Sequence, residues 1–114
     1  MRVKRAYERA EPSDGMRILI DRLWPRGVTK KALEIEVWVK KLAPSKELRR
    51  WYRHEPERYP EFRRRYLAQL ESARDRLAEL RAPMRGRTVT LVTATRDLAL
   101  SHAEILREVL KRKS

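Results

Sequence analysis

No cysteine occurs among these 114 residues, and histidine appears only twice. The absence of thiols excludes disulfides, thiolate metal sites and cysteine nucleophiles, and it fits a reducing, cytoplasmic environment. Two histidines argue against a structural zinc site, so no metal ligands are assigned. Glycine is scarce too, at three residues. No phosphate-cradling glycine loop is present, and dinucleotide binding of the usual kind is not expected. No serine sits in a nucleophile elbow, and no segment carries the aromatic pattern of an RNA-binding sheet. These absences leave the cofactor unknown. No stretch approaches the roughly 18 apolar residues that a membrane span needs. The basic start Met1-Arg2-Val3-Lys4-Arg5 leads into no apolar segment. Neither a signal peptide nor a membrane partner is expected.

What is abundant is positive charge. There are 29 Lys and Arg against 16 Asp and Glu, a formal net charge of +13. Nucleic acid and small anionic ligands become the candidate partners. Twenty-one of the cations are arginine, asparagine is absent and Gln69 is the sole glutamine. That composition equally describes a thermostable surface with few labile amides and many ions. Charge alone therefore does not separate a binding surface from a merely soluble one. A chain of this length holds one core, so a single domain over residues 1–114 is expected; the oligomeric state is not legible.

Hydrophobic patterning gives the elements. Val3 to Tyr7 reads as a short strand and Glu8 to Gly15 as a loop, turning at Asp14-Gly15. Met16 to Arg22 is a second strand with a continuous apolar centre, the mark of a strand covered on both faces. The intervening loop is short for a parallel crossover, which suggests an antiparallel first pair. Trp24 to Thr29 is irregular, and a turn follows around Lys30 to Leu33. Alternation over Glu34 to Lys41 predicts a third strand, with helix as the competing reading. Ser45 suits the N-cap of a short helix over Lys46 to Arg53. Phe62, Tyr66, Leu70, Ala73, Leu77 and Leu80 form a stripe at helical spacing, predicting one helix over Glu61 to Leu80. Thr88 to Thr95 is a β-branched strand. Ser101-His102-Ala103-Glu104 matches a capping box that opens a last helix to about Arg112.

Function is sought where the second strand ends in Asp21-Arg22-Leu23-Trp24-Pro25-Arg26-Gly27. If the second and fourth strands are parallel neighbours, their carboxyl ends meet, and ligands collect at such ends. One exit delivers Asp21, Arg22, Trp24 and Arg26. The other delivers Asp97 and the N-terminus of the last helix, whose free N–H groups favour anions. Arg22 and Arg26 would clamp an anion, Asp21 or Asp97 would act as base or hydroxyl acceptor, and His102 would assist catalysis. Each has a plainer alternative. Asp21 and Arg22 can pin loops, Trp24 can lid the core, Asp97 can cap a turn, and His102 can pack. The arginine runs Arg49-Arg50 and Arg63-Arg64-Arg65 are either solvated helix faces or phosphate contacts.

The string Ile18-Leu19-Ile20-Asp21-Arg22-Leu23-Trp24-Pro25-Arg26-Gly27 resembles the YeaO-like family, bacterial and archaeal proteins carrying a domain of unknown function. The similarity continues through Trp38-Val39-Lys40, Leu42-Ala43-Pro44-Ser45, Trp51, His54, Arg65-Tyr66, Thr90-Leu91-Val92, Asp97 and His102-Ala103. It covers nearly the whole chain, and the matched motifs add Lys40 and Ser45 to the anion-binding candidates. The family often has Asn where Ser101 stands, and both are good N-caps. The resemblance implies an α/β domain and supplies no mechanism. The expectation is one α/β domain, a sheet of about four strands, mixed or mostly parallel, flanked by helices. Its function is expected to be binding of a small anion or phosphate ligand, with catalysis left open. A basic nucleic-acid module and a non-catalytic structural or interaction protein are the alternatives.

Overall fold

The run Thr88-Val-Thr-Leu-Val-Thr93 supplies the strand that the other strands gather on. In the computed structural model, which describes residues 1–112, strand β4 (Val89–Thr93) is hydrogen-bonded on both sides. Strand β1 (Arg2–Arg5) pairs with it in parallel, Val3 opposite Leu91. Strand β2 (Met16–Leu19) pairs on the other side, Ile18 also opposite Leu91. Strand β3 (Val37–Trp38) adds to β2, giving the order β1-β4-β2-β3. Every pairing is parallel.

The antiparallel first pair is therefore incorrect: β1 and β2 never touch as a ladder, because β4 inserts between them. A parallel return without a helix is possible because the strands are short. Ten residues separate Arg5 from Met16 and can span roughly 33–36 Å, whereas a four-residue strand is only about 13 Å long. The third strand is also far shorter than Glu34 to Lys41. Glu34 is held at φ 47 as the cap of a single helical turn, α1 (Lys30–Leu33). Val39 (φ −105, ψ 55) already leads into a 3-10 turn at Lys40–Leu42.

Strand alternation sorts side chains to two faces. Met16, Ile18, Ile20, Val89 and Leu91 share the main core with four helices. These are α2 (Lys46–Tyr52), α3 (Tyr59–Glu71), α4 (Arg74–Met84) and α5 (His102–Lys111). The expected single helix over 61–80 is thus two. Ala73 leaves helical geometry (φ −109, ψ 26), and the new direction lets Leu77, Leu80 and Met84 bury against the core. On the other face, Leu19 and Val92 meet Leu33 of α1 and the Trp24–Trp38 loop. Ala6 joins this cluster, and a polar group completes the face. Lys4, Arg17 and Thr90 are buried there around Asp14, which is wholly enclosed.

Candidate functional site

The apolar strand β2 continues through Ile20 to Asp21, beside the end of β4. Asp21 ties the two strand ends together: one oxygen accepts from the Thr93 hydroxyl at 2.6 Å and the other from the Ala94 N–H at 2.8 Å. His102, first residue of α5, places Nε2 3.1 Å from the Ile20 carbonyl and 3.3 Å from Asp21 Oδ1. A carbonyl only accepts, so the hydrogen sits on Nε2. The imidazole is buried and packs edge-on to Tyr66, ring centroids 5.9 Å apart. Burial pushes the Asp21 carboxyl up, but His102, Thr93 and the Ala94 N–H together hold it below its ordinary range. Tyr66, fully buried with its hydroxyl on the Leu42 carbonyl, is pushed up by burial and then by Asp21.

Above this floor stands a cleft of about 620 Å³. One wall is the loop leaving β2. Trp24 donates to the Val28 carbonyl and Trp38 to the Asp21 carbonyl, both at 2.6 Å, and the two indoles meet edge to face. The indoles thus fix the loop while Arg22, Leu23 and Arg26 line the cleft. The opposite wall is α2. Its start is anchored twice: Ser45 Oγ accepts from the Leu48 N–H, and the sole glutamine, Gln69, bonds both the Ser45 N–H and the Ala43 carbonyl. That anchoring sets Lys46, Arg49 and Arg50 on the cleft. Tyr52 closes the helix, stacked on Phe62 and donating to the Leu100 carbonyl. Burial, with Tyr59 and Asp97 adding, pushes its phenol up to about 12.

Of the residues singled out from sequence, Asp21, Arg22, Trp24, Arg26 and His102 are brought together on this one cleft. Three are not. Asp97 caps the turn before α5, its carboxylate accepting from the Ala99 N–H. Lys40 lies over the Trp38 ring, 4.4 Å from its centroid, beside a separate groove. Ser45 is spent on capping α2. Tyr7, Leu23 and Lys46 line the cleft, and sequence reasoning missed them. Arg49-Arg50, which the sequence leaves open between a solvated face and a phosphate contact, lines it too. The Ala-Pro-Ser turn that sends α2 back over the strand ends is visible in the sequence as a break and a cap, but its direction is not.

The cleft's charges are unbalanced. Arg22, Arg26, Lys46, Arg49 and Arg50 line it, and the single carboxylate among the lining residues is Asp21. Among the described residues none of these five forms an ion pair; Arg22 only reaches the Pro44 carbonyl, at 3.3–3.4 Å. By contrast Arg63, Arg64 and Arg65 on α3 are paired with Glu108 and Glu61. No three His, Asp or Glu side chains among the described residues are grouped to hold a metal. No helix of the described residues is long and apolar enough to cross a membrane.

The chain is similar to the uncharacterized protein Rv3073c of Mycobacterium tuberculosis, 49% identical over 110 residues that cover 96% of this chain and 92% of that protein. It is 40% identical to the uncharacterized protein YeaO of Escherichia coli over 111 residues, covering 95% and 94%. No solved structure gives a significant match. A family model described as the inactive DUF488-N3 subclade matches residues 1–114. With that match over its whole length and YeaO among its relatives, the chain belongs to this YeaO-like family of domains of unknown function.

Proposed function

We propose that the protein binds a small anionic, phosphate-bearing ligand in the cleft between the β2 exit loop and α2, without chemistry of its own. The observation that carries this is a set of five cations on one concave surface, without ion pairs among the described residues, facing a lone carboxylate already engaged by His102, Thr93 and Ala94. Holding like charges together unpaired costs stability unless an anion arrives. The start of α5, whose Ser101 and His102 line the cleft, adds a positive dipole end there. Arg22 and Arg26 on one wall and Arg49 on the other would grip the anion; Asp97, Lys40 and Ser45 have no part in it.

Binding is favoured over catalysis because the groups lining the cleft are committed with one exception, the His54 ring, which packs against Tyr52 and makes no hydrogen bond among the described residues. The hydroxyls of Tyr7 and Tyr52 donate to carbonyls, that of Ser101 bonds Leu98 and Ala103, and that of Thr95 is held by Thr93. His102 spends Nε2 on Ile20 and Asp21. The description of the family as inactive agrees with this. Calorimetric titration with phosphate and pyrophosphate at low salt tests the reading. Pyrophosphate should bind, Arg22→Ala and Arg49→Ala should weaken it, and Arg64→Ala on α3 should not. Absence of binding by either anion at low salt removes the proposal.

The nucleic-acid reading rests on the +13 charge. It is weakened by the engagement of the Arg63-Arg64-Arg65 run in ion pairs. An oligonucleotide titration with a steep salt slope would revive it.

A further inference from the structure

Leu23 and Tyr7 are the two exposed large hydrophobic side chains of the described residues, at 67% and 52%. Both line the cationic cleft. Nothing in the fold requires this. The neighbouring Trp24 is half-buried against the second core, and the Tyr7 ring is supported by the Arg5 guanidinium, 5.5 Å from its centroid, and by its hydroxyl bond to the Arg26 carbonyl. A bare anion would leave both side chains wet. The cleft offers about 620 Å³. It falls in the range of sites for small organic ligands, roughly 300–1,000 Å³. A tetrahedral ion fills little of it. The charge points the same way: five cations against one engaged carboxylate are poorly matched by a single monophosphate and better matched by two linked phosphates.

Resting on the anion-binding reading above, we infer that the ligand is a nucleoside polyphosphate. Its phosphates lie among Arg22, Arg26 and Arg49, and its base lies against Leu23 and the Tyr7 ring. Aromatic and apolar side chains accept the flat face of any base, with Arg adding a cation–π contribution. The cleft thus reads charge count and a planar apolar body together.

Titration calorimetry with ADP, GDP, CDP and UDP, each compared with pyrophosphate, decides this. At least one nucleotide should bind tenfold or more tightly than pyrophosphate. Leu23→Ser, at an exposed position that leaves the core intact, should reduce that advantage measurably. Tyr7→Phe keeps the ring and should retain the preference; Tyr7→Ser should lose it, a loss of roughly five- to a hundredfold. If pyrophosphate binds as tightly as every nucleotide, the inference falls while the anion site stands. If neither binds, both fall. A 5′-phosphorylated oligonucleotide that outcompetes the best nucleotide would overturn the inference in favour of a nucleic-acid end.

Discussion

Asp14 is the most enclosed charge among the described residues, and two buried cations depend on it. It accepts from Lys4 Nζ at 3.0 Å, from Arg17 at 2.7 Å and from the Glu11 N–H at 3.0 Å. Burial pushes its carboxyl up, yet the Glu11, Lys4 and Arg17 hydrogen bonds win and hold it below 3.8. Even so, one Arg17 nitrogen stays unpartnered, so the cluster has no spare acceptor. Asp14→Asn should cost about 3–5 kcal/mol, the usual penalty for breaking a buried pair from one side. Urea unfolding measures it, and a cost under about 1 kcal/mol would mean that water reaches the site. The sequence showed Asp14-Gly15 only as a turn; nothing local to it revealed that Lys4 and Arg17 converge there. Gly15 is equally fixed. At φ 66 an added Cβ would lie 2.3 Å from the Thr88 carbonyl oxygen, so Gly15→Ala should lose at least about 2 kcal/mol in the same urea titration. Asp21 shares with Asp14 a depressed folded value. Between folded and unfolded values the unfolded chain binds more protons, so stability rises with pH there. The contribution is complete above the ordinary 3.8 and is lost as pH falls through the folded values. Asp21→Asn should flatten this acid limb, as read from urea midpoints below pH 4.

Elements whose signal is local were legible in the sequence alone. The β-branched run became β4, the Ser101 cap opens α5, and Ser45 caps α2. What failed depended on partners or on backbone turns. Strand β3 is short because Glu34 and Val39 leave extended geometry on either side of it. The stripe from Phe62 to Leu80 kept its buried residues while its axis broke at Ala73, since a periodic pattern survives a bend that preserves the face. Ser101 carries the element-scale prediction. Its hydroxyl accepts from the Ala103 N–H at 3.2 Å at the helix that seats His102. Ser101→Ala should cost about 1 kcal/mol, and Ser101→Asn, an equally good cap, should restore most of it. A thermal melt would show a drop of several degrees for alanine only. Equal drops for both variants would mean that packing, not capping, sets the position.

Across the whole molecule, the +13 charge is unevenly compensated, and the sequence revealed only part of that. Pairs at helical spacing, such as Glu61 with Arg64 and Arg65 or Glu104 with Arg107, were open to a reader of intervals. Long-range pairs, Arg63 with Glu108 and Arg87 with Glu36, were not. Nor was the remainder that matters, a cleft whose five cations have no carboxylate partner among the described residues. The strand-end motif located one wall; the other, α2, required knowing which way the chain turns after Pro44. A site held open this way stores repulsion, which screening should relieve. The Debye length falls from about 10 Å at 0.1 M salt to about 3 Å at 1 M. The double variant Arg26→Gln/Arg49→Gln should therefore melt at a higher temperature than the parent in ligand-free, low-salt buffer. The gain should vanish near 1 M sodium chloride. Arg64→Gln/Arg65→Gln, which removes cations already paired on α3, should give no such gain. Calorimetric melts of the three proteins across a salt series make the comparison. A cleft variant that melts lower than the parent at every salt concentration would mean that these arginines hold the fold together rather than wait for an anion.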